Sequence, residues 1–239
     1  MVTYTIVPER FPLISRSDGK TQMLVPTPHC RHCYYPISEK YGSWRKCRNC
    51  NEEPLLRDAL PDRLVIATLY IPKVTGYEHS REIIALKERG EYSQVYAEVL
   101  IKVLAQENID VSGGVIVPIP QTKARQGVTG PLALAYSLSG QTGLNIRMCL
   151  SFNRPVKRQK TLNKEERENN MRGAMTATSC ADISKALLVD EVFTSGATLR
   201  EGTRALMAGG VREVIGAIAA RKSDLKSLEY AGVVERVED

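Results

Sequence analysis

The chain has 239 residues and a mass of 26.5 kDa, room for one sizeable core and a small appendage, because single domains run about 100–200 residues. Its 43% hydrophobic and 25% charged residues exclude the low-hydrophobicity composition of a disordered chain, and no apolar run nears the roughly 20 residues that a membrane-spanning helix needs. A net charge of +6 and a pI near 9.0 favour anionic partners such as phosphates, nucleotides or nucleic acid, without choosing among them.

Residues 1–29 mix Pro8, Pro12, Pro26 and Pro28 with polar residues and carry no sustained period, so an irregular or weakly stranded lead-in is expected. The opening MVTYTIVPERFPLISRSDGK has no basic stretch followed by an apolar one, and reads as cytoplasmic with no membrane insertion. Residues 30–56 hold the cysteines Cys30, Cys33, Cys47 and Cys50 as CRHC, a thirteen-residue spacer and CRNC. Two knuckles of this spacing bring four thiolates to a tetrahedral site, which suits a structural Zn²⁺. Disulfides are disfavoured in the cytoplasm. His29 and His32 flank the first knuckle and are alternative ligands, and Trp44 falls in the spacer. Cys149 and Cys180 are isolated in the sequence and read as plain thiols.

From residue 57 to 239, apolar runs alternate with helical patterns. LVIATLY (64–70), GVIVPIP (114–120), IRMCLSF (146–152), ALLVD (186–190) and REVIGAIAA (212–220) read as strands. REIIALKERG (81–90), YSQVYAEVLIKVLAQ (92–106), PLALAYSLSG (131–140, with Gly140 beyond its end), NKEERENNM (163–171) and GATLREGTRALMAGG (196–210) read as helices. Such alternation predicts an α/β fold, a mainly parallel sheet with helices on both faces, whose ligands sit at the carboxyl ends of the strands. Between Arg154 and Arg172 lies a basic run, Arg154, Lys157, Arg158, Lys160, Lys164, Arg167 and Arg172, set against Glu165, Glu166 and Glu168. It is either a solvated helix face or an anion-covering segment.

The most informative segment is ALLVDEVFTSGATLREG (186–202). An apolar strand ends in Asp190 and Glu191, and a turn of Thr194, Ser195, Gly196, Ala197 and Thr198 opens a helix. Converging backbone N–H groups, three hydroxyls and the helix N-terminus suit a phosphate monoester, while the acids suit neighbouring sugar hydroxyls. A Walker loop is excluded, because no Gly-Lys-Ser or Gly-Lys-Thr occurs here.

This segment resembles the ribose-phosphate motif of type I phosphoribosyltransferases. Together with the knuckles, REIIALKERG, VPIPQTKARQG (117–127) and QKTLNKEERENNMRGAM (159–175), it is similar to the ComF competence-protein family over about residues 30–220. The resemblance implies a phosphoribosyltransferase-like domain over 57–239, preceded by a small zinc-ribbon-like module. It also implies phosphoribosyl pyrophosphate bound with Mg²⁺, its 5′-phosphate held by residues 194–198 and its ribose by Asp190 and Glu191. Lys123 and Arg125 would face the pyrophosphate, with Arg158 in the hood that covers it, and Lys87 is either a solvated helix lysine or a site residue. The sequence departs from the family at Gln126, Gly127, Val128, Thr129 and Gly130, where ComF-like chains usually carry Arg-Gly-Phe-Asn-Gln. Loss of a cation and two amides weakens the case for turnover more than for binding, since bonds from charged groups contribute roughly 1.5–3 kcal/mol each. Two functions therefore stand open: a phosphoribosyltransferase acting on an amine or nucleobase acceptor, and a nucleic-acid-associated protein that keeps the site as a sensor or relic. Single-stranded DNA and a second copy of the chain are partners the sequence leaves open.

Overall fold

Strand β4 (Arg63–Tyr70), β5 (Val115–Pro118), β8 (Lys185–Phe193) and β9 (Glu213–Lys222) are buried along nearly their whole length, a pattern that requires cover on both sheet faces. In the computed structural model, which describes residues 3–30, 32–38, 47, 50, 60–72, 74, 77–121, 127–128, 130–157, 162–178 and 180–237, they form one parallel sheet in the order β4-β9-β8-β5. A single parallel bridge from Ile116 to Ile146 extends the sheet beyond β5.

One face is covered by α1 (His79–Arg89), α2 (Ser93–Gln106) and α3 (Gly130–Thr142), through Ile83, Leu86, Tyr96, Leu100, Leu134 and Leu138 against Val189 and Ala217. The other face carries α5 (Ala197–Ala208), whose Leu199 and Leu206 share a buried cluster with Leu188, Ile218, Met175 and all four knuckle cysteines. The described residues of the cysteine module therefore pack into the main core. Beside α5 lie the hairpin of β6 (Leu150–Phe152) and β7 (Met175–Ala177) and, between its strands, α4 (Lys164–Met171). Asn163 caps α4, its side chain accepting from the Glu166 N–H while the Glu166 carboxylate accepts from the Asn163 N–H.

The lead-in carries three short strands. β1 (Thr3–Ile6) pairs antiparallel with the C-terminal β10 (Val234–Val237), which follows α6 (Leu225–Tyr230). β2 (Leu13–Ser15) and β3 (Thr21–Met23) form a hairpin against α1, locked by the fully buried Arg16 guanidinium 2.9 Å from the Glu82 carboxylate. Burial opposes ionisation of Glu82, but hydrogen bonds from His79 and Arg16 hold its carboxyl down at about 2. Helix α3 runs through Gly140 and ends at Thr142, so the expected stop at Gly140 is corrected by one turn. Gly143, at φ 73, donates its N–H to the Ser139 carbonyl and takes the left-handed position instead. No helix among the described residues is long and apolar enough to cross a membrane.

Candidate functional site

Cys30, Cys33, Cys47 and Cys50 are all buried, and their sulfurs lie within 4.8 Å of one another, with Cys33 Sγ and Cys47 Sγ 3.6 Å apart. A tetrahedral ion with bonds of about 2.3 Å to sulfur spaces its sulfurs by roughly 3.8 Å, so the cluster has the dimensions of a metal site such as zinc. The four thiols share hydrogen bonds that pull Cys30 far below the ordinary thiol range and push Cys33 and Cys50 above it, as expected of sulfurs packed closely enough to share one centre. His29 is turned away: its ring stacks on Tyr34 at 4.6 Å and its Nδ1 lies 3.1 Å from the Pro26 carbonyl oxygen. Trp44 lies outside the described residues.

The second site follows from the sheet order. From β5 the chain passes through α3 toward Ile146, on one side, and from β8 it passes through α5 to β9, on the other. The crevice between the carboxyl ends of β5 and β8 is thus a topological switch point, where parallel sheets bind their ligands. Pairing of Pro118 with Val189, and the Ile119 N–H bond to the Val189 carbonyl at 2.9 Å, set the next residue of β8, Asp190, at its edge. The Glu191 N–H donates to Asp190 Oδ1 at 2.8 Å, and Lys87 Nζ on α1 lies 3.2 Å from Glu191 Oε1. Lys87 is thus paired with Glu191 and is not a solvated helix lysine. Burial first and the Glu191 charge second push the Asp190 carboxyl well above the usual carboxylate range, while Lys87 acts in the opposite direction. Asp190 is thus the member of the pair that resists ionisation, beside a Glu191 carboxylate that Lys87 neutralises.

After Phe193 the turn reverses into α5 with Gly196 at φ 82, a left-handed conformation that L side chains resist. A Cβ there would sit 2.7 Å from the Phe193 ring and 2.9 Å from an Arg200 nitrogen. Close approach recurs six residues on, where a Cβ on Gly202 would sit 2.9 Å from Ile119. Two arginines fix the turn from outside. Arg200 donates to the Ser195 carbonyl at 2.9 Å and pairs with Glu168 of α4, and Arg221 of β9 donates to the Thr194 carbonyl at 2.9 Å. The start of α5 is a positively polarised helix end with no side-chain cap on Gly196, Ser195 Oγ accepts from the Ala197 N–H at 3.4 Å, and Thr194 and Thr198 flank it in sequence, a setting that suits a compact anion.

Lys123, Arg125 and Arg158, expected to face a pyrophosphate, lie outside the described residues. Within the basic segment, Arg154 is committed to structure: it donates to the carbonyls of Asn170 at 3.0 Å and Arg172 at 3.1 Å, at the end of α4. Cys149 and Cys180, isolated in the sequence, are brought together across the hairpin ends. Burial and the neighbouring Cys180 push Cys149 up to about 12, which leaves it a protonated core thiol. Sequence reasoning missed Arg200, Arg221 and Glu168. The i, i+4 offset of Arg200 from Gly196 was a usable signal for the first, whereas the other two depend on tertiary register.

Neither protein-family models nor curated proteins yield a match to this chain.

Proposed function

We propose that the chain binds phosphoribosyl pyrophosphate as its Mg²⁺ complex and transfers the phosphoribosyl group to an amine or nucleobase acceptor, in the manner of the type I phosphoribosyltransferases that it resembles. The ComF-like N-terminal module would hold one structural Zn²⁺ on Cys30, Cys33, Cys47 and Cys50. Bound zinc supplies cross-linking of two chain segments that have little apolar surface of their own.

The single observation that carries this reading is the junction of the Asp190–Glu191 pair with the left-handed Gly196 turn, at the switch point of a parallel sheet. A 5′-phosphate fits the turn of Thr194 to Thr198, and an adjoining ribose reaches the acids. Glu191 accepts from one hydroxyl, Asp190 donates to or accepts from the other, and Lys87 offsets the remaining charge. Lys123, Arg125 and Arg158 are assigned to the pyrophosphate. In the transfer, the bond from the anomeric carbon to the pyrophosphate oxygen breaks with its electron pair leaving on pyrophosphate. A bond to the acceptor nitrogen forms, and the nitrogen gives up a proton. Positive charge develops on the sugar ring, so positioning and fixed charges carry the acceleration, and no covalent nucleophile is required.

Pyrophosphate release in the presence of Mg²⁺, measured across nucleobases, ammonia and glutamine, tests the transferase reading. Release with at least one acceptor supports it. Saturable binding with no release on any acceptor would favour the sensor reading, in which the remaining hood cations contact single-stranded DNA.

A further inference from the structure

Arg221 stands where the cysteine module meets the phosphate-binding turn. It is the parallel-strand partner of Phe193 at the carboxyl ends of β8 and β9, and only 6% of its surface is exposed. Its guanidinium lies 4.7 Å from the centre of the Phe193 ring and 5.2 Å from that of the Tyr35 ring. Its Nη1 donates to the Thr194 carbonyl at 2.9 Å, while its buried Nε finds no partner among the described residues. A buried guanidinium with an unanswered donor persists only where its other contacts compensate, and here those are two aromatic faces and one loop carbonyl.

Each contact leads to a different site. Tyr35 follows the first knuckle directly, and its carbonyl accepts the Cys30 N–H at 2.8 Å, so the geometry around Cys30 sets where the Tyr35 backbone runs. Its hydroxyl donates to Asp224 at 3.3 Å, which anchors the ring to the residue that caps α6. Phe193 presses on Gly196, the pivot of the turn. The path therefore runs from the Cys30 knuckle through Tyr35, Arg221 and Phe193 to Thr194 and Gly196, with no gap in packing.

The geometry points to Tyr35 and Arg221 as positioning residues through which metal on the cysteine knuckles orders the phosphate-binding turn, so that zinc and the sugar phosphate bind cooperatively. The inference rests on reading residues 194–198 as a phosphate site. A metal-filled knuckle holds Tyr35 against the guanidinium, and the guanidinium holds the Thr194 carbonyl back, which leaves the amides after it free to face an anion. By linkage, a ligand that needs the ordered turn favours the metal-bound module by the same factor.

The test is hydrogen exchange on the full-length, zinc-loaded protein, compared with Tyr35→Ala, Tyr35→Phe and Arg221→Lys. Tyr35→Ala and Arg221→Lys should speed exchange over residues 194–198 at least fivefold while β4, over Arg63–Tyr70, keeps wild-type protection. Tyr35→Phe, which retains the ring but loses the hydroxyl bond to Asp224, should fall between the wild type and Tyr35→Ala. Arg221→Lys keeps every residue of the cysteine module and tests the last link, while stripping zinc from the wild type with a chelator should speed exchange over residues 194–198 as well, and no such rise would overturn the coupling. Unchanged exchange at the turn in Arg221→Lys, or an equal rise across β4, would overturn the coupling. Calorimetric titration of the same proteins with Mg²⁺ and phosphoribosyl pyrophosphate separates the two ideas. No binding to the wild type would overturn the phosphate-site reading itself, whereas affinity within twofold of wild type in Arg221→Lys would overturn the coupling alone.

Discussion

Gly196→Ala tests whether the turn is built as described. Gly196 holds φ 82 and ψ 0, and an alanine forced into this left-handed region is strained by roughly 1–2 kcal/mol. Its Cβ would meet Phe193 Cζ at 2.7 Å, and the ring is backed by Arg221, so relief requires a shift of the stack. Overpacking of this kind costs typically about 1–3 kcal/mol. Reduced freedom of the unfolded chain returns about 0.4–1 kcal/mol. The net loss is about 1–4.5 kcal/mol, centred near 3, and at about 2–4 °C per kcal/mol for a chain of this size the midpoint should fall by roughly 6–12 °C. Gly173→Ala is the control. Gly173 has φ 66 with nothing within 4 Å of an added Cβ, so only the backbone strain remains, about 1 kcal/mol. Urea unfolding of the two variants gives the comparison. Equal losses would show that Phe193 is free to yield and that the turn is not held from behind.

Three further outcomes follow from the same contacts. Burial raises the folded-state pKa of Asp190 above its unfolded value of 3.8, so the stability it contributes at low pH is lost as pH rises. Asp190→Asn should therefore gain on the wild type in urea midpoint as pH increases from about 4 to 8, and a difference that stays flat with pH would refute the assignment. The purified, reduced protein should carry about one zinc per chain, and Cys47→Ser should lose most of it; full metal in that variant would remove Cys47 from the ligand set. Glu168→Gln leaves Arg200 without its charge partner at a pair whose side chains are only 10% and 16% exposed, and should cost about 2–3 kcal/mol in urea unfolding, with a loss under about 0.5 kcal/mol contradicting it.

What the sequence disclosed depends on how local the determinant is. The parallel sheet was legible because LVIATLY, ALLVD and REVIGAIAA are short apolar runs separated by helical patterns, and the four cysteines because two-residue knuckles fix both sulfurs within one turn. The strand–turn–helix segment was legible for the same reason, since Asp190, Glu191, Gly196 and Thr198 all lie within nine residues of one another. Determinants set by tertiary register were not. The 30-residue interval between Glu191 and Arg221 hides the β8–β9 register that stacks Arg221 on Phe193, and nothing near Tyr35 announces its place against that guanidinium. Lys87 was left between two readings because a helix lysine looks alike whether it meets solvent or Glu191. Gly140 misled as a helix stop because a glycine is tolerated inside an amphipathic helix when the following Gly143 supplies the left-handed cap.

The central claim is that the Asp190–Thr198 segment binds a phosphorylated ribose, and the most direct measurement is calorimetric titration of the zinc-loaded protein with Mg²⁺ and phosphoribosyl pyrophosphate, alongside the double variant Asp190→Asn with Glu191→Gln. One saturable site per chain is expected in the wild type, with at least tenfold weaker binding in the folded variant, which corresponds to about 1.4 kcal/mol. Absence of binding to the wild type at millimolar ligand, or equal affinity in the two proteins, would contradict it.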